Sequence, residues 1–327
     1  MRRPLRYLAG LVLLAATLAG CGATSDHALN LTLAALATPT PAAPPSSSTP
    51  NASCKNYKAS LRPPATLPAP DHMPAGSFMA KIQKQGYLIA GVNAGLYKFG
   101  YLNPATGNIE GFEIDLVDEI AKAIFGAAKN HVRLVALTVP QRLPFVEEGK
   151  VDIVVDAITI TCYRRTLADF SAVYYDATQR LLVPVSSKVD GIHALAGKQV
   201  CASAQSTPIQ VMEAMPERDR PRPVGLPQAI DCLVAMQQGR VAGISTDSSI
   251  LLGFKAQDPG TKIVGASLGD VPYGMAINKA DPDFVRFVNG VLAKLEHDGT
   301  WQRLYAKWLP PAQFGPIQSP PKAEYDG

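Results

Sequence analysis

The amino-acid sequence predicts an α/β protein built as two lobes. Short apolar runs suited to buried strands alternate with stretches of helical period, and that alternation occurs twice along the chain. The portion able to pack, roughly 250 to 270 residues, is long enough for two modest lobes. In the first unit, residues 87–92 form an apolar run fit for a buried strand. Gly111-Phe112-Glu113-Ile114-Asp115 then opens a helix whose apolar face recurs at Leu116, Ile120, Ala123 and Ile124. Residues 132–137 and 151–155 read as further strands, with a short helix over 142–148 between them. In the second unit, residues 198–202 read as a strand, 207–215 as a helix behind a Ser/Thr cap, 230–238 as a helix, 241–245 as a strand and 248–254 as a helix. A last apolar helix over 282–295, followed by 301–308, reads as a return to the first lobe.

Residues 1–20 read as an export signal. Arg2, Arg3 and Arg6 form a positive start, and the apolar run 8–18 is too short to cross a bilayer core of roughly 30 Å. Leu18-Ala19-Gly20-Cys21 resembles the lipobox of bacterial lipoproteins. That resemblance implies lipidation of the Cys21 thiol and anchoring to the cell membrane on its extracytoplasmic face. Residues 38–53 are Ala, Pro, Ser and Thr with almost nothing to bury, so they read as an extended stalk within a tether assigned to 21–74.

With Cys21 set aside, Cys54, Cys162, Cys201 and Cys232 remain, an even number in a chain expected in an oxidising place. Two disulfides follow, with three pairings open. A C-x-x-C pair and a His at ligand spacing are both missing from the sequence, which argues against zinc. The chain carries 31 Lys+Arg against 27 Asp+Glu, and loss of the signal's three arginines would bring its net charge from +4 to +1. A nucleic-acid binder would show a basic stripe, so nucleic acid is not an expected partner.

Three places put polar side chains beyond the carboxyl ends of strands, where open α/β sheets bind ligands. Thr159-Ile160-Thr161-Cys162-Tyr163-Arg164 follows the strand 151–155, and a guanidinium fork matches a carboxylate with charge-assisted bonds. A basic residue at a helix start opposes the dipole, which gives one of Arg164 and Arg165 a positional reason to be there; the other reads as a solvated charge. Ala204-Gln205-Ser206-Thr207 lies between a strand and a helix, where free backbone N–H groups suit an anion, although simple capping by Ser206 or Thr207 explains them equally well. Asp247, after the strand 241–245, either holds an ammonium or caps the next helix.

In order, Gly111-Phe112-Glu113-Ile114-Asp115-Leu116, Thr159-Ile160-Thr161-x-x-Arg164, Asp169-Phe170-Ser171, Leu195-Ala196-Gly197-Lys198, Gly239-Arg240-Val241 with Asp247, and Asp298-Gly299-Thr300-Trp301 resemble the family 3 solute-binding proteins, the polar amino acid receptors of ABC importers. The resemblance runs from about Ala75 to Leu309 and is strongest to actinobacterial glutamate- and glutamine-binding lipoproteins.

That resemblance implies a periplasmic-binding-protein-like fold of type II, two α/β lobes joined by a hinge with the ligand cleft between them. Residues 75–178 and 273–309 would form the first lobe, 179–272 the second, and 310–327 a C-terminal tail. It implies that Arg164 and Thr159 grip an α-carboxylate with Ser206 and Thr207 donating from the other lobe, while Asp247 and the Ala157 carbonyl region hold an α-ammonium. Where relatives commonly have Gly, this chain has Ala157 and Gln205. Asn93, Lys98, Phe99, Tyr101 and Gln179 are expected to form the side-chain pocket, with Lys98 favouring an acidic ligand.

The implied function is capture of a free polar L-amino acid, glutamate/aspartate or glutamine/asparagine, and its delivery to an ABC permease by a monomer with no cofactor, metal or catalysis. The same cleft would serve a sensor lipoprotein that signals to a membrane protein. An enzyme on this fold would need an added general acid or base, yet His72, His131, His193 and His297 lie outside the motifs and His27 lies in the tether. The resemblance also implies a Cys201–Cys232 disulfide, which leaves Cys54 to pair with Cys162.

Overall fold

The computed structural model describes residues 54–316 and 318–326; the signal, Cys21 and the stalk at 38–53 lie outside the described residues. A five-stranded sheet has the order Val132–Ala136, Leu88–Val92, Ile153–Val155, Ala276–Ile277, Asp169–Phe170. Its first three strands run parallel and the other two join antiparallel. Leu88, Val92, Ile153 and Val155 belong to one apolar cluster and Val154 to another with Leu137, Val146 and Ile158. Both faces are therefore covered, which is why these strands read as unbroken apolar runs.

A second sheet has the order Arg222–Leu226, Gln199–Ser203, Gly243–Asp247, Tyr175–Pro184, Thr261–Val264, with Asp270–Tyr273 also pairing to Tyr175–Pro184. Gly95–Leu96, Gly100–Leu102 and Ile109–Glu110 make a small antiparallel sheet that the sequence periodicity does not reveal.

The chain passes between the two large sheets through Tyr175–Pro184 and returns through Asp270–Tyr273. Tyr175 to Thr178 pair with the returning strand, and Gln179 to Leu182 pair with Gly243–Asp247 or its flanks. The lobe boundaries expected at 178/179 and 272/273 fall inside these two strands. Polar side chains along Asp176, Thr178 and Arg180 conceal the ten-residue strand from an apolar-run reading.

Helix Phe112–Phe125 buries Phe112, Leu116, Val117, Ile120 and Ile124. Its Gly111 cap has φ 144°, and a Cβ there would collide with the Phe99 carbonyl, so this position requires glycine. Strand Gln199–Ser203 is joined to helix Ala229–Gln237 by the Cys201–Cys232 disulfide, and a Cys54–Cys162 disulfide closes a separation of 108 residues.

That second bridge marks a difference from the expected tether. Residues 54–74 are packed chain: Ala59, Ser60 and Met73 are buried. Asn289, on helix Pro282–His297 and fully buried, donates from Nδ2 to Ser60 Oγ (2.7 Å) and the Leu61 carbonyl (2.6 Å), and accepts from the Ala172 amide (2.7 Å). The expected C-terminal tail also packs. The Ser60 amide donates to the Glu324 carbonyl and the Asp326 amide to the Ser60 carbonyl, both at 2.9 Å. Replacing Asn289 with Ala strands several buried partners at once and should cost about 2–4 kcal/mol, read by urea unfolding. Limited proteolysis should then cut first within 54–74; wild-type stability and cleavage pattern in the variant would refute the role of Asn289 in fastening this segment.

Candidate ligand-binding cleft

Loops at the carboxyl ends of both parallel sets enclose a cavity of about 30 Å³. Arg164 enters it from helix Cys162–Leu167, where Thr161 caps the first turn by accepting from the Arg164 amide at 3.1 Å. Its Nη1 donates to the Thr159 carbonyl (2.9 Å) and its Nη2 to the Gln205 carbonyl on the other lobe (3.5 Å). The guanidinium is 5% exposed and makes no ion pair among the described residues. Burial, then the nearby Arg142, lowers its pKa to about 9. Arg165 points elsewhere, donating to the carbonyls of Tyr57 and Ala59 and pairing with Asp326, so it fastens both chain ends to the lobe.

Across the cleft, Asp247 ends strand Gly243–Asp247 and precedes helix Ser248–Gln257. Its Oδ2 accepts from the Tyr273 hydroxyl at 2.7 Å, and its buried Oδ1 has no partner among the described residues. The side chain does not cap the helix. Ser206 likewise stands at the N-cap of Thr207–Ala214 without a capping bond, its buried Oγ unpartnered among the described residues. Thr159 Oγ1 and Thr207 Oγ1 meet across the cleft at 3.3 Å.

Ala157 and Gln205 hold φ of 44° and 57°, a left-handed backbone that costs a non-glycine residue of the order of 1 kcal/mol or more. The turns expected to be glycine thus keep their shape with side chains in place.

Asn93, Ala157, Thr159, Arg164, Ser206, Thr207 and Asp247 all line the cavity. Lys98, Phe99, Tyr101 and Gln179, also expected in the side-chain pocket, lie outside this lining. The small sheet over 95–110 packs against helix Thr300–Trp308, setting the Lys98 ammonium above the rings of Tyr97, Tyr101 and Trp308. Phe99 packs edge-on against Phe112 and Tyr175 in the core, and Gln179 donates to Ser245 Oγ within the second sheet.

Sequence reasoning missed Arg142, Asp156 and Gln228. Asp156 follows a buried strand just as Asp247 does, and Arg142 opens a helix against the dipole just as Arg164 does, so the same two signals would have found them. Asn93 Nδ2 donates to Asp156 Oδ1 (3.0 Å) and to Gln228 Oε1 (3.1 Å), and Gln228 Nε2 donates to the Leu137 carbonyl (2.8 Å). Behind the cavity, Glu113 is fully buried, accepting from the Ala157 amide (2.7 Å) and the Tyr174 hydroxyl.

A profile of the bacterial extracellular solute-binding proteins, family 3, matches residues 88–311. The chain belongs to that family. It is 32% identical over 233 residues to the ABC transporter glutamine-binding protein GlnH of Bacillus subtilis, covering 71% of this chain and 84% of that one. It is 32% identical over 210 residues to a glutamine-binding protein of Geobacillus stearothermophilus, covering 64% and 79%. Among solved structures, an ancestral arginine-binding protein bound to glutamine superposes with TM-score 0.63 at 28% identity, covering 68% of this chain and 98% of that one. The fold is that of the type II periplasmic binding proteins, and the protein is a solute-binding protein rather than an enzyme.

Burial raises Asp156 and Asp247 to about 6, and burial reinforced by Asp156 raises Glu113 to about 7. These values exceed those of the unfolded chain, so between about pH 4 and pH 7 the folded state binds more protons. The associated stability is present at the acid end of that window and is lost as pH rises through it. Without ligand, melting temperature should climb by at least about 4 °C from pH 8 to pH 5. A calorimetric pH series on an Asp156→Asn/Asp247→Asn double variant should show a flatter slope; an unchanged slope would exclude these groups as its source.

Proposed function

We propose that the protein captures a polar L-amino acid, glutamate, aspartate, glutamine or asparagine, between its lobes and delivers it to an ABC importer. One observation carries this reading: among the described residues, a buried guanidinium without an ion pair shares the cavity with a buried carboxylate that has a free oxygen, Arg164 with Asp247. An amino acid zwitterion supplies the opposite charge to each. Thr159, Ser206 and Thr207 add neutral donors beside Arg164, and the glutamine-binding relatives support a polar amino acid as cargo.

The cavity has room for about two water molecules, so the lobes must part to admit an amino acid. Bonds that cross between them, Asn93 to Gln228, Gln228 to Leu137 and Thr159 to Thr207, are exchanged on opening. Ligand favours closure only through its tighter binding to the closed state. A lipid on Cys21 and the Pro/Ser stalk hold the receptor beside its membrane partner.

Arg164→Ala should weaken amino acid binding at least about 100-fold by titration calorimetry while leaving melting temperature unchanged or higher, because a buried cation is removed. Unchanged affinity would refute the assignment. Cys21→Ala should shift the expressed protein from the membrane fraction to the soluble one; retention in the membrane fraction would refute lipid anchoring.

A further inference from the structure

We infer that Asp156 and Arg142 read the ligand's side chain, and that the group they select is a carboxamide rather than a carboxylate. This rests on the proposed assignment of the α-groups to Arg164 and Asp247. Asp156 is 1% exposed and lines the cavity; Oδ1 accepts from Asn93, and Oδ2 is buried with no partner among the described residues. Arg142 is 6% exposed and lines the same cavity, donating from Nη1 to the Asp156 carbonyl at 2.8 Å and from Nε to the Val139 carbonyl at 3.3 Å. It makes no ion pair among the described residues.

The cavity wall therefore holds two guanidinium groups and two carboxylates. A zwitterion balances Arg164 and Asp247, which leaves one cationic donor and one anionic acceptor for whatever the side chain carries. A carboxamide offers a carbonyl to Arg142 and an amino group to Asp156, and adds no charge. A side-chain carboxylate has no hydrogen for the Asp156 oxygen and would set like charges together where water is excluded. Glu113 behind the wall adds further acidic potential. A side-chain cation would meet Arg142 in the same way.

The Asn93 amide in the wall and the Gln228 amide beside it are already committed to one another and to their neighbours. Asn93 Oδ1 accepts from the Gly95 amide at 2.8 Å while its Nδ2 serves Asp156 and Gln228, and both ends of the Gln228 amide are likewise engaged. Lys98, which would have favoured an acidic ligand, sits over Trp308 outside the cavity.

The test is titration calorimetry at pH 7.5 on protein unfolded and refolded to strip bound amino acid, against glutamine, asparagine, glutamate, aspartate and arginine. The better amide should bind at least about tenfold more tightly than its matching acid, and Asp156→Asn should shrink that ratio by about tenfold or more. Wild type preferring an acid or arginine, or an Asp156→Asn ratio equal to wild type, overturns the inference while amino acid capture stands. Binding of no amino acid overturns the proposed function itself. Should Asp156→Asn fail to fold, the wild-type ratio decides, with Arg142→Gln expected to weaken amide binding.

Discussion

A guanidinium held away from water without a carboxylate against it is the constraint on which the rest of this protein turns. Removing a charge from water costs several kcal/mol unless it is paired, and among the described residues Arg164 is compensated only by carbonyl oxygens and by carboxylates beyond ion-pairing distance. Asp247 and Asp156 carry the complementary burden. Each lobe contributes part of the enclosure, so parting the lobes relieves the cost by admitting water. Under the proposed function this makes closure conditional. A bare cleft opposes shutting over its own charges, and a zwitterion reverses that preference by supplying their partners.

The connection between the lobes is wired to the same groups. The returning strand Asp270–Tyr273 receives the Ile160 amide on the Pro272 carbonyl (2.9 Å), just beyond Thr159. Its Tyr273 hydroxyl then donates to Asp247 and meets Ser249 Oγ at 2.8 Å. One strand thus touches the loop that presents Arg164 and the carboxylate opposite. A rotation of the lobes about these strands cannot leave the relation between Arg164 and Asp247 unchanged, which is what coupling between a binding site and a hinge requires.

How much of this was legible in the sequence depended on how each feature is encoded. Strands buried on both faces, such as Leu88–Val92, and helices with a continuous apolar stripe, such as Phe112–Phe125, announce themselves in a single window of residues. Tyr175–Pro184 does not, because its burial alternates and its partners lie far along the chain. The cleft was legible where a charged residue follows a strand, as with Arg164 and Asp247. The places of Lys98 and Tyr101 were not, since they are set by packing onto Trp308, a long-range event. Asp156 was hidden for a different reason: it directly follows the strand Ile153–Val155, and a lone carboxylate there reads equally well as a turn residue.

The adjacent arginines show how one short helix can serve two ends of the molecule. Successive residues on a helix point about 100° apart, so Arg164 can face the cleft while Arg165 faces away from it. Arg165 gathers the carbonyls of Tyr57 and Ala59 and the carboxylate of Asp326, and Cys162 at the head of the same helix is bonded to Cys54. The chain entering from the N-terminal side is thereby fastened to the element that carries Arg164. A pull on that chain is transmitted first to the disulfide and to Arg165, and only through the body of the helix to the cleft. Fixing this segment at several points, with Ser60 held between Asn289 and the backbone around Tyr325, spreads such a load over the first lobe and keeps it off the hinge.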